Sequence, residues 1–353
     1  MTGLLTRRGL IGTAAAGIVL RPSLIWAQNA YQTIIDGRTF RGTRSPGGSG
    51  TDGGTAIKAE SNTLIRNCYF LDLGNGAIRF FHTTTENVAI EDCQVANMYR
   101  FIENWSWNHP DVPAPVSDFT VRRVNAARLA RNFMRVRYGS TRGLIEDVVA
   151  RGNGECANYC VGFALDDEAH DIVYRRVEAH DFCETQRPSD QYWNGDGFSD
   201  ERGNSKIRYY SCVATGSSDG GFDTKSQDVY MENCLSSGNK LNYRLWNTGT
   251  LKNCRSENPV KRGGTGWIGH FSFFGGSGPN YVLDSPVVRA DATNKAPVLY
   301  FQSSVPATVT IYNADIDAPG AALIQVDKGR PAPTIKWVPE RSQQKIRVAR
   351  DYA

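Results

Sequence analysis

One short pattern returns along most of this chain and limits what it can fold into. It is a strand-like run with alternating apolar residues, closed by two polar residues and then Cys, Val or another small residue. It reads NTLIRNC (62–68), NVAIEDC (87–93), DFTVRRV (118–124), GLIEDV (143–148), DIVYRRV (171–177), KIRYYSC (206–212), DVYMENC (228–234), TLKNC (250–254), YVLDS (281–285) and TVTIYNA (308–314). Period-two alternation marks each run as a β-strand. The runs recur at roughly twenty to thirty-five residues, the interval of solenoid coils. A second strand follows each first one, among them GAIRFF (76–81), NFMRVR (132–137), VGFALD (161–166), DGFSDE (196–201), GGFDTK (220–225) and NYRLWN (242–247). Turns rich in Gly, Asn, Ser and Asp lie between. A β-sandwich also has many short strands, but it does not need the same Cys/Val position in every unit. The pattern therefore predicts an all-β chain, a right-handed parallel β-helix of about ten coils in which like residues stack over like.

The pattern sets the domain organisation. Residues 31–353 read as one β-helix domain. Residues 31–61 form an entry coil with a Gly-rich loop, and residues 315–353 an exit coil and covering tail. The stretch 104–118 reads as a longer loop carrying Trp105 and Trp107. Residues 1–30 read as a targeting segment: Thr6-Arg7-Arg8-Gly9-Leu10-Ile11 resembles the bacterial twin-arginine export signal, followed by a weakly apolar stretch and small residues suited to cleavage. The expected location is the periplasm or the exterior. No later stretch approaches the ~20 apolar residues of a spanning helix, so no membrane contact is expected after cleavage. The net charge of +4 and the absence of a basic run speak against nucleic acid. A covered solenoid is expected to be a monomer.

Eight cysteines in an exported chain could be bridged. Cys68, Cys93, Cys212, Cys234 and Cys254 share one place in the repeat, which favours stacked, buried thiols. A disulfide among Cys156, Cys160 and Cys183 stays open.

Chemistry concentrates between Trp193 and Trp246. Two units there carry an acid-glycine-aromatic step, Asp196-Gly197-Phe198 and Asp219-Gly220-Gly221-Phe222-Asp223. A third puts Arg244 where the first two put Ser199 and Asp223. Asp196 and Asp219 would sit one coil apart, about 4.8 Å across the ladder, with Asp223 in the strand that follows Asp219 and Asp200 nearby. Carboxylates that close call for a cation, and oxygen-only ligands favour calcium. Arg244 sits on the next coil, and Lys225 shares a strand face with Asp223. Arg79, Arg135 and Arg137 occupy comparable positions farther along. Such cations suit an acidic polysaccharide, whose carboxylates they would bind.

Together with VYMENC (229–234), Ser237-Gly238-Asn239 and Asn242-Tyr243-Arg244-Leu245, these steps resemble the core of the family 9 polysaccharide lyases, which are pectate-lyase-like parallel β-helices. The likeness covers about fifty residues. It implies that Asp196, Asp219 and Asp223 are calcium ligands and that Arg244 stands at the position of the catalytic base, a Lys in the family. Gly220 stands where the family has a second Asp. Arg is a weak base, which makes Lys225 the other candidate. Arg79, Arg135, Arg137 and Asp200 are then expected to bind substrate. The implied reaction is calcium-assisted β-elimination in a uronate polymer. Three other readings stay open. A hydrolase could use Asp166-Asp167, although Gly269-His270-Phe271 lacks the second Gly of the hydrolase motif. A uronate epimerase needs nearly the same proton abstraction. A non-catalytic carbohydrate-binding β-helix needs no converging site.

Overall fold

The computed structural model describes residues 31–45, 54–82, 84–104, 112–154, 156 and 159–352. The export segment, the tip of the Gly-rich loop, Trp105 and Trp107 lie outside the described residues. The recurrent strands coil into a parallel β-solenoid of about eleven turns. Among the described residues the one helical piece is a short 3-10 turn, Arg341–Gln343. No helix of the described residues is long and apolar enough to cross a membrane.

Each turn contributes to three parallel ladders. The first runs from Thr33–Asp36 to Thr334–Val338 and contains the repeated motif itself. Its inward column is Ile35, Ile65, Ile90, Val121, Ile145, Tyr174, Tyr209, Met231, Leu251, Leu283, Ile311 and Trp337. The second ladder begins just after the Cys/Val position. The third contains the second strand of each unit.

The polar pair that closes each motif is a bend between the first and second ladders. Asn67, Asp92, Arg123, Asp147, Arg176, Ser211, Asn233 and Asn253 all adopt the left-handed region, with φ between 51° and 57°. Asn and Asp tolerate this region at least cost, because their short polar side chains bond locally. Arg123 and Arg176 accept it while pairing with the bend residue one coil earlier, Asp92 and Asp147, each at 2.6 Å. The bend turns the next residue inward, which is why Cys, Val or a small residue follows. All eight cysteines are buried and free, including Cys156, Cys160 and Cys183.

In the third ladder the aromatic of each acid-glycine-aromatic step points inward. Phe163, Phe198, Phe222, Tyr243 and Phe271 stack at centroid distances of 5.0, 4.8, 5.4 and 5.0 Å. Each fully buried ring contributes roughly 1.5–3 kcal/mol. This stack fixes the register that places the residues between the aromatics on the outer face. At the C-terminal end, Thr334–Val338 and Lys345–Tyr352 continue the ladders, the latter with a register shift between Ala318 and Ala322. They form a further coil of the solenoid.

Candidate functional site

The outward column of the third ladder is fixed by register: Lys58, Arg79, Glu103, Arg135, Ala164, Ser199, Asp223, Arg244, Ser272 and Tyr300. The equivalence of Ser199, Asp223 and Arg244 expected from the sequence is therefore real. Arg79 and Arg135 also belong to this column. Arg137 does not: it follows its strand, pairs with Asp167 at 2.9 Å and lies over the Tyr138 ring.

The three acids expected on adjacent coils converge, but in a different register. Phe198 faces Phe222, so Asp196 lies opposite Gly220, whose amide donates to Asp196 Oδ1 at 2.6 Å. Asp219 precedes that strand, and Asp223 lies within it. Three basic side chains close around them. Arg244 Nη1 bridges Asp219 Oδ2 and Asp223 Oδ2, both at 3.2 Å. Lys225 Nζ sits 3.0 Å from Asp223 Oδ2 and also meets Glu201. Lys240 Nζ lies 3.6 Å from Asp219 Oδ1. Two aromatic donors complete the shell, Tyr192 Oη to Asp219 Oδ1 and Trp246 Nε1 to Asp223 Oδ1, both at 2.7 Å. The Arg244 guanidinium lies between the rings of Trp246 and Phe274, at 4.8 and 4.7 Å.

Burial and neighbouring charge separate the protonation states. Burial, then the charges of Asp219 and Asp223, raise Asp196 well above the carboxylate range. Burial acts the same way on Asp223, but Arg244 and Lys225 outweigh it and lower its pKa. Burial opposes the charge on Arg244, yet Asp223 and Asp219 dominate and raise its pKa further. Burial likewise opposes the charge on Lys225, and Asp223 and Glu201 outweigh it. The two bases expected from the sequence are therefore both held as cations. Lys240 goes the other way: burial lowers its pKa, Asp219 resists, and Arg244 adds to the lowering. Its side chain is fully buried, and its Nζ has no hydrogen-bond partner.

Lys240 is the residue that sequence reasoning missed. It occupies a turn before the strand Leu241–Leu245, where a lysine is ordinarily solvated. Tyr192 covers it, with Nζ 3.6 Å from the ring centroid. The cover is held from outside by glycines. A Cβ at Gly263 would lie 2.2 Å from the Trp193 ring, and one at Gly266 2.8 Å from Tyr192. No sequence signal ties the loop 186–194 to this site.

The donors do not fit the calcium site implied by the resemblance. Calcium takes six to eight oxygens. Both oxygens of Asp219 and of Asp223 already accept from protein donors. The position of the family's additional Asp is closed, since a Cβ at Gly220 would lie 2.8 Å from Asp196 Oδ1 and 3.0 Å from the Asp223 Cβ. No group of three or more His, Cys, Asp or Glu suited to a metal occurs among the described residues.

Other expected residues fall elsewhere. Asp200 is fully buried and accepts from Tyr209 Oη, Thr224 Oγ1 and Ser226 N at 2.9, 2.8 and 2.8 Å. It braces the coil and cannot touch substrate. Asp166 pairs with Arg135 at 2.8 Å, and Asp167 with Arg137. His270 is buried, bonded to Ser256 Oγ at 2.8 Å and driven down to about 3 by burial. The hydrolase motif elements therefore do not assemble.

No protein-family model matches the chain, and no curated relative matches it by sequence. Solved structures share its fold. The A-module of the mannuronan C-5 epimerase AlgE6 from Azotobacter vinelandii is 13% identical, with a TM-score of 0.54 over 88% of this chain and 91% of that one. The pectate lyase Pel9A is 15% identical, with a TM-score of 0.50 over 87% of this chain and 77% of that one. The chain thus has the pectate-lyase-like parallel β-helix fold.

Proposed function

We propose that this chain is a lyase that cleaves a uronate-containing polysaccharide by β-elimination without a bound metal. One observation carries the reading: a single buried site holds two basic groups, Arg244 and Lys240, around Asp219, and its surroundings push them in opposite directions. Arg244 is fixed as a cation by Asp219 and Asp223, while Lys240 is pushed toward the neutral amine. Elimination needs both. A cation neutralises the uronate carboxylate and stabilises the charge that develops when the C5 proton leaves. An amine whose burial disfavours its charge is the group suited to take that proton. The C5–H electrons form the C4=C5 double bond, the C4–O4 bond breaks, and the departing oxygen takes a proton from Asp196, whose acid form is favoured by burial and by the charges of Asp219 and Asp223. The Tyr192 ring must move off Lys240 for the sugar to approach.

The site also favours a second reading. Asp196 and Asp223 are pushed in opposite directions, as in acid–base pairs of glycoside hydrolases. Epimerisation would use the same amine and return a proton to the opposite face.

The deciding experiment offers the purified chain a panel of uronate polymers and follows ultraviolet absorbance and new reducing ends. New unsaturated ends support the lyase. New reducing ends without absorbance select the hydrolase. Exchange of the C5 proton with solvent, without cleavage, selects the epimerase.

A further inference from the structure

The outward column that bears Asp223 and Arg244 carries a second charged centre, Arg79, Glu103 and Arg135, four rungs earlier. Between the two centres the column narrows to Ala164 and Ser199. These small side chains floor a cavity of about 330 Å³, walled by Arg100, Arg131, Arg135 and Tyr159 and closed toward the site by Glu201. That volume is at the lower end of ligand sites, enough for one sugar-sized group.

The walls carry more cation than their partners absorb. Arg100 is 5% exposed; it is engaged by Glu103 at 2.8 Å and by Asn132 at 2.7 Å. Arg135 pairs with Asp166. Glu201, on the far side, is taken by Lys225. Arg131 donates to Tyr99 Oη at 2.9 Å, forms no ion pair among the described residues, and keeps a buried Nε with no partner. The crowding is felt by Arg100. Burial lowers its pKa to about 10, and Arg131 and Arg135 add to the effect against the pull of Glu103.

We propose that this cavity is a second anion subsite, which holds a carboxylate-bearing sugar of the same polymer, a few units along the chain from the one that reacts at Arg244. The inference rests on the uronate reading above and extends it. The preferred substrate is a run of closely spaced uronates and not an isolated one. A guanidinium fork matches a carboxylate in two parallel bonds, which suits Arg131 better to a planar uronate group than to a rotating neutral sugar. At about 4.8 Å per rung, Ser199 lies roughly 10 Å and Arg135 roughly 19 Å from the Arg244 rung. A disaccharide at the Arg244 site therefore stops short of Arg131.

Calorimetric titration of the full chain tests this. The probes are disaccharides and hexasaccharides of galacturonate and of mannuronate, sulfated dextran and neutral dextran. The expected result is that one uronate hexasaccharide binds at least about tenfold more tightly than its disaccharide. Arg131→Ala and Ala164→Phe each remove that advantage, while the disaccharide affinity stays within about twofold. If the hexasaccharide binds and is lost only in Arg244→Ala, the second subsite is wrong and the lyase reading stands. If no uronate oligomer binds at all, both fall together. If sulfated dextran binds as tightly and is lost equally in Arg131→Ala, the carboxylate assignment is overturned in favour of a sulfate ester. Thermal melting checks that each variant folds. If Ala164→Phe does not fold, Arg131→Ala alone decides, because its side chain packs at the groove wall and not in the core.

Discussion

The Gly220 amide donates to the Asp196 carboxylate at 2.6 Å, and a Cβ on Gly220 would lie 2.8 Å from that same oxygen. One glycine thus leaves no room for a further carboxylate between Asp196 and Asp223. Around it, Arg244 and Lys225 supply positive charge to Asp219 and Asp223, and Lys240 lies 3.6 Å from Asp219.

Gly220→Asp is therefore expected to damage the fold and not to restore a metal site. The new side chain meets Asp196 and Asp223 at sub-contact distances and adds a buried charge without a partner. A loss of roughly 2–4 kcal/mol in chemical denaturation is expected. A variant as stable as the parent that gains stability from calcium would refute this account of the site.

Chelator is expected to change neither turnover nor stability. A ligand at a hundredfold excess over its dissociation constant adds about 2.7 kcal/mol. Millimolar calcium should instead move the melting temperature by less than about 1 °C. A clear calcium-dependent rise in melting temperature would show that the cations yield their places to the metal.

Lys240→Met is expected to separate activity from stability. Removing the base should lower turnover at least about a hundredfold. Removing a buried amine that has no hydrogen-bond partner should leave stability equal or higher. Arg244→Met should do otherwise, costing roughly 3–5 kcal/mol because Asp219 and Asp223 lose their shared donor. If Lys240→Met turned over normally, the amine would not be the base.

Asp196 gives a pH signature. Its folded-state pKa is raised above its unfolded value, so the folded chain binds this proton more tightly. The stabilisation is full below the unfolded value of about 3.9 and is lost as pH rises through the folded pKa. Asp196→Asn, which cannot ionise, should thus gain stability over the parent as pH rises, with the gain vanishing in acid. Denaturation curves at several pH values, parent against variant, measure this. A variant deficit that grows with pH would show that Asp196 is charged in the fold.

Much of this architecture is legible in the chain itself. Asn67-Cys68, Asp92-Cys93 and Asn233-Cys234 are each a left-handed bend followed by a buried residue, and both halves of that unit have a local physical cause. The outward alignment of Ser199, Asp223 and Arg244 follows from the stacked Phe198, Phe222 and Tyr243. The reading failed where one residue of offset mattered. Asp196 was expected opposite Asp219 and lies opposite Gly220, because the units differ by one residue before the aromatic. Asp200 was expected near substrate, but the strand alternation turns it inward to Tyr209.

The sequence by itself determined the solenoid, since a coil's apolar face is set by period-two alternation and its bends by residues that tolerate positive φ. It also determined that acids and cations share one face of the third ladder. Only the tertiary structure decided how those charges neutralise one another. Lys240 comes from a turn and Tyr192 from a loop 27 residues before Asp219, and neither position has a repeat to predict it. Their protonation depends on burial and on charges a few ångströms away across different coils, distances that exist only once the chain is wound.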